Sequence, residues 1–189
     1  MKVALVTPYW SPVRGGVTTY VQELATELRR TYGLHVAVIA REGRGEAGVT
    51  VVGGTATQFV RRAATELERL LPDAVHAQGH WYALAAGLRY RRRHPGTRVV
   101  FTLHTPFPHR SWWRRYGLKV VLSKADFVSG VSAELLGTTI RALGFRTRTR
   151  VTHPGVSLRP ARARAVEEFL RMSGLADRRP TVGYVGRLA

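Results

Sequence analysis

Residues 3–6 read Val-Ala-Leu-Val, and this short apolar run constrains the fold more than any other part of the chain. A strand that is apolar on both sides has no face to give to water, so it is expected in the interior of a parallel sheet. A Pro-containing loop follows, and then Gly15 and Gly16 stand directly before a helical pattern. In that pattern Val17, Tyr20, Val21, Leu24, Ala25 and Leu28 recur at helical spacing and form one apolar face. A first strand that leads through two glycines into a helix offers unpaired backbone N–H groups to an anion. Glycine lets a ligand approach the backbone closely, and the helix dipole favours negative charge there. The same residues also read as an ordinary strand-to-helix connection, and no G-x-G-x-x-G dinucleotide fingerprint is present.

The alternation continues along the chain. Strands are expected at 35–40, 49–52, 73–77, 99–103, 127–131 and near Val151. Helices are expected at 57–71, 81–93, 112–122 and 133–143, the last stopped by Gly144. Strands alternating with helices of this length predict an α/β fold, a doubly wound parallel Rossmann-like sheet. Ligands bind such sheets beyond the carboxyl ends of the strands, where the strand order reverses. The Gly15-Gly16 loop and the loop carrying His104 both follow strand ends, so they are expected on one edge. The pattern changes near residue 157. Residues 1–157 are expected to be one domain and 158–179 a linker with a short helix at 166–172. Residues 180–189 are expected to be the first strand of a second, truncated domain.

Composition narrows the function classes. The 189 residues contain no cysteine, which removes disulfides and thiolate metal sites and fits a cytoplasmic location. No apolar run approaches the ~18 residues of a membrane span, and polar and Pro residues from Thr7 onward interrupt any signal-peptide core. The formal charge is +18, carried almost wholly by arginine. Either a GC-rich coding bias or attraction to a polyanion, nucleic acid or an anionic membrane leaflet, explains such an excess. The arginines are scattered without a zinc-finger, RNP or basic-zipper pattern, which argues against nucleic acid. His76, His80, His104 and His109 match no zinc spacing, so no metal is expected.

Six segments, in order, resemble the family 4 glycosyltransferases, retaining enzymes with two Rossmann-like domains (the GT-B fold). They are PYWSPVRGGVTTYVQELATEL, DAVHAQGH, VVFTLHTPF, ADFVSGVSAEL, HPGVS and VGYVGRL. The opening, with Pro8, Tyr9 and Gly15-Gly16-Val17, is most similar to that of the phosphatidylinositol mannosyltransferases. The resemblance implies that Gly15 and Gly16 lie against the donor diphosphate and its sugar. It implies further that His104 sits at the reaction centre and that Tyr9 lines the acceptor side. Arg187 matches the arginine of the family's G-R-x-x-x-x-K-G motif, which clamps the diphosphate; the companion lysine would fall after Ala189. His153-Pro-Gly-Val-Ser157 departs from the family's usual Pro-Asn-Gly-Val-Asp, which weakens any assignment of donor or acceptor from that segment.

Trp112, Trp113, Arg114, Arg115 and Tyr116 form an aromatic and basic cluster soon after His104. Such a cluster suits a membrane interface, with rings at headgroup depth and arginines reaching phosphates, and equally a loop packed at an acceptor cleft. The expected function is the acceptor-side half of a retaining hexosyltransferase. Its donor would be a nucleotide-diphosphate sugar, with no separate cofactor, and its acceptor a glycan or lipid. It would work in the cytoplasm, peripherally at the inner face of the membrane. The alternative is a non-catalytic Rossmann-like module that binds a phosphorylated or anionic ligand. This chain alone is expected to be inactive, because most donor contacts would lie in the second domain.

Overall fold

A computed structural model describes residues 1–106, 111–155 and 163–174. The chain divides into two compact units, Met1–Gly155 and Val156–Ala189. In the first unit the strands are β1 (Lys2–Tyr9), β2 (His35–Glu42), β3 (Val49–Val51), β4 (Ala74–Gln78), β5 (Arg98–Leu103), β6 (Phe127–Gly130) and β7 (Thr149–Val151). Its helices are α1 (Gly16–Arg30), α2 (Ala56–Leu70), α3 (Trp81–Arg91), α4 (Trp112–Leu122) and α5 (Ala133–Leu143). In the second unit the described residues form α6 (Ala163–Met172). The expected strand over residues 180–189, with Arg187, lies outside the described residues, as does His109.

All seven strands are parallel, in the order β3-β2-β1-β4-β5-β6-β7. The order reverses between β1 and β4, so the sheet is open at its centre to a ligand beyond the strand ends. The period of two along β1 sends its side chains to two separate cores. Val3 and Leu5 join Val21 and Ala25 of α1 on one face. Ala4 and Val6 face the opposite side, where α2, α3, α4 and α5 contribute Phe59, Tyr90, Leu122 and Leu136. The all-apolar run therefore sits between two layers, which is why it carries no polar residue.

β1 is longer than its apolar run and passes through Pro8 to Tyr9. The proline is tolerated because pairing with β4 ends at Val6, so its missing N–H falls beyond the ladder on that side. On the other side the register with β2 continues to Tyr9 opposite Glu42. This brings Tyr9 to the rim of the sheet. α3 ends at Arg91, two residues before the expected limit, and Gly144 closes α5 in the left-handed conformation as expected from sequence.

Candidate functional site

In a parallel sheet every connecting helix begins at the carboxyl edge of the strands, so five helix N-termini face that edge. They are not built alike. α2 has a full capping box, with Thr55 accepting from the Gln58 N–H and the Gln58 side chain accepting from the Thr55 N–H. α5 is capped by Ser132, which accepts from the Leu135 N–H at 3.1 Å. The helices that follow the three adjacent central strands β1, β4 and β5 have no such cap: Gly15, His80 and Ser111 make no side-chain cap hydrogen bond. The uncapped ends thus gather at the switch point.

The end of α1 is open. Thr19 is the first residue to bond back, its N–H reaching the Gly15 carbonyl at 3.1 Å, which leaves the N–H groups of Gly16, Val17 and Thr18 without an intrahelical acceptor. Gly15 has extended backbone, and a Cβ at Gly15 or Gly16 would meet nothing within 4 Å. Neither glycine is required by the packing of the described residues, so both leave room in front of the helix. The loop before them is held from outside. The Trp10 indole N–H donates to Glu46 Oε1 (2.9 Å), and the Arg44 N–H reaches the Ser11 carbonyl (2.7 Å). Gly43, at φ +139, passes so close beneath Trp10 that a Cβ there would lie 2.8 Å from the Trp10 carbonyl oxygen.

His104 follows β5 on the same edge. Its Nε2 is 2.8 Å from Oε1 of Gln78, the last residue of β4, which is fully buried. With the amide so oriented, Nε2 carries the proton and Nδ1 remains an acceptor. Tyr20, one helical turn beyond Gly16, sets its ring edge-on to the imidazole with centroids 4.8 Å apart. α1 therefore reaches the His104 side of the sheet. Below, His76 Nε2 and the Thr102 hydroxyl are 2.7 Å apart, and Thr102 and Ser129 share another 2.7 Å hydrogen bond. Burial pushes the His104 imidazole down to about 4. Burial, with the charge of His104 second, does the same to His76. Both rings are neutral at physiological pH, so His104 can accept a hydrogen bond there but cannot serve as a cationic acid. Burial raises the Tyr20 hydroxyl above its usual value, an effect partly opposed by its hydrogen bond with Thr102. The Gln78 amide nitrogen is buried without a partner among the described residues.

On the β1–β4 side an aromatic series lines the rim. The Tyr9 ring meets His80 edge-on at 6.4 Å, His80 stacks on Tyr82 at 5.0 Å, and the Arg41 guanidinium lies over Tyr82 at 5.3 Å. Burial, and then the positive charge of Arg41, lower the His80 pKa. α4 starts beside α3, where Trp81, Trp113 and Arg114 line one cavity. Arg114 covers the Trp113 ring at 4.8 Å, whereas the Arg115 guanidinium turns away to the Ala142 carbonyl near the end of α5. Among the described residues no group of three or more His, Asp or Glu could hold a metal ion.

Of the residues singled out by sequence, Tyr9, Gly15, Gly16 and His104 fall on one edge, and Trp112, Trp113 and Arg114 lie on α4 beside α3. Sequence reasoning missed Tyr20, Gln78 and His80. Tyr20 was hidden in an apolar helical stripe, where a tyrosine reads as core. Gln78 left a signal: His76 and Gln78 are the polar residues of a strand whose other residues are apolar.

An open parallel sheet with bare helix ends at its switch point defines a Rossmann-like domain. More specifically, the chain belongs to Glycosyltransferase Family 4, whose model matches residues 14–159. No curated protein matches the sequence significantly. Among solved structures, Anabaena HepE in complex with UDP is similar at 18% identity and TM-score 0.69, over 93% of this chain and 50% of that one. Sucrose-phosphate synthase from Thermosynechococcus elongatus is similar at 16% identity and TM-score 0.65, over 82% and 48%. The apo lipopolysaccharide outer core galactosyltransferase WaaB is similar at 14% identity and TM-score 0.61, over 85% and 47%. The fold is that of the N-terminal half of GT-B proteins, and this chain spans about half the length of those three. Among the described residues no helix is long and apolar enough to cross a membrane.

Proposed function

We propose that this chain is the acceptor-side half of a retaining glycosyltransferase that moves a hexose from a nucleotide-diphosphate sugar to an acceptor hydroxyl. The observation that carries this reading is the uncapped, glycine-fronted N-terminus of α1 on the same edge as His104. Family membership supports it, as does the UDP bound in the Anabaena structure. As the glycosidic bond to the donor breaks, charge grows on the departing diphosphate while the sugar takes on oxocarbenium character. The N–H groups of Gly16, Val17 and Thr18 would bind the former. His104, neutral and held by Gln78 and Tyr20, would accept a hydrogen bond from a donor sugar hydroxyl through Nδ1. Tyr9 and His80 would border the acceptor.

A lipid acceptor is the second part of the reading. It is supported by the exposure of Trp112, Trp113 and Tyr116 and by the +18 charge. Titration of the ¹⁵N-labelled chain with UDP tests the first part. Amide shifts are expected at Gly16–Thr18 and at His104; saturable binding that leaves these amides unmoved would sink the assignment. Sugar transfer by the 189-residue chain alone is not expected, and its detection would overturn the division of labour between two halves.

A further inference from the structure

A second feature of the surface runs away from the reaction edge. On α3 the outward stripe is Trp81, Ala85, Leu88 and Arg92, spaced at helical intervals. On α4 the facing stripe is Trp113, Gly117, Val121 and then Lys124. Along them lie two cavities, of about 490 and 590 Å³, that share Val121 as a common wall, the second bordered also by Val60 of α2 and by Pro95. Together they make one furrow that follows roughly ten residues of helix, about 15 Å. Its floor is apolar, formed by Trp81, Leu118, Val121 and Leu88. Arg114 stands at the end nearer the site, and Arg89, Arg92 and Lys124 at the other. No acidic residue lines either cavity; Arg91, which also lines the second, is paired with Asp126, whereas these four cations have no salt bridge among the described residues. At its upper end Trp112 is 77% exposed and Trp113 57%.

We infer that this furrow holds the hydrocarbon chain of an anionic lipid, with the lipid phosphate on Arg114 and the chain running past Gly117 towards Val121 and Leu88. The choice of occupant follows from charge. A second copy of this chain brings +18 to a surface that is already cationic. A neutral alkyl ligand would leave the arginine rim unused. An anionic amphiphile satisfies both parts: the alkyl chain covers the floor, and the phosphate takes the guanidinium that now lies over Trp113. Gly117 keeps the furrow open, since a Cβ there would meet nothing within 4 Å. Because Trp81 directly follows His80, the phosphate end would lie close to the acceptor rim. The inference therefore rests on, and deepens, the reading of a lipid acceptor.

The test uses hexyl, octyl and decyl phosphate below their micellar concentrations, with inorganic phosphate and decyl maltoside as controls and tryptophan fluorescence as the readout. Each buried methylene should tighten binding about fourfold. Gly117→Leu, which occupies the furrow and favours the helix, should flatten that dependence while leaving thermal stability intact. Arg114→Gln should weaken every alkyl phosphate by a common factor of about ten without changing the dependence on chain length. Equal affinity for inorganic and decyl phosphate would reduce the furrow to a diffuse charge effect and overturn the inference. So would a chain-length dependence untouched by Gly117→Leu, or binding of an acidic amphipathic peptide in place of the alkyl phosphates. The UDP titration at α1 is independent of these outcomes: its failure removes the transfer reaction, and failure here removes only the lipid.

Discussion

α1 and α2 begin on the same edge of the same sheet and are made for opposite ends. α2 closes its own N-terminus, Thr55 and Gln58 satisfying each other's backbone groups. α1 starts on two glycines with no side chain to accept its free N–H groups, and its loop is held by Trp10, Gly43 and Glu46 instead. A side-chain cap typically contributes about 1 kcal/mol, so a bare helix end at the centre of a sheet forgoes local stability that its neighbour keeps. The difference teaches where to look: the helix ends left unsatisfied are those that follow the central strands β1, β4 and β5, while α2 and α5, outside them, are sealed.

The comparison can be broken at several points. Among single substitutions Gly43→Ala should do most harm, about 2 kcal/mol or more in chemical denaturation, because an L side chain at φ +139 would also collide with Trp10. The same variant should weaken UDP at α1. A variant destabilised to this extent with unchanged UDP affinity would show that the loop does not hold the open end. Acid comes next. The folded pKa values of His76 and His104 lie below the unfolded value of about 6.5, so the unfolded chain takes up protons first. Stability is full above pH 6.5 and falls as pH drops towards 4, on the order of 2 kcal/mol per histidine. The double variant His76→Gln, His104→Gln should show a shallower acid slope in denaturation curves from pH 7.5 to 4.5. An identical slope would place the acid sensitivity elsewhere.

Thr55→Ala should cost about 1 kcal/mol through the lost capping box and leave UDP binding unchanged. The smallest stability effect carries the sharpest contrast. Gly15→Asp places a carboxylate at the α1 N-cap, where backbone and space both allow it. Thermal stability should rise by a few tenths of a kcal/mol, from capping and the dipole, while UDP affinity falls at least about tenfold. Stability and binding moving together would contradict an open end kept for an anion.

Much of the fold could be read in the chain. The residue types set the periods: Val3–Val6 could only be buried on both sides, and the stripe from Val17 to Leu28 could only lie on a sheet. Gly144 announced the end of α5 because few other residues accept its left-handed turn. Pro8 misled, because a proline reads as a break in a strand and only the pairing partners reveal that its N–H is not needed. The gathering of candidate residues on one sheet edge was legible at the glycines and at His104, which stand at element boundaries. Its supports were not, since Gln78 and His104 are 26 residues apart and nothing local couples them.

By itself, the sequence determined the succession of elements, the two-sided burial of the sheet, the strong positive charge and the glycine opening of α1. These depend on side-chain period, turn chemistry and composition, all of them local. Tertiary structure alone decided the strand order, the gathering of uncapped helix ends at the switch point, the neutral His104 between Gln78 and Tyr20, and the furrow between α3 and α4. Each of these depends on which distant segments become neighbours, and that is set by packing the whole sheet at once.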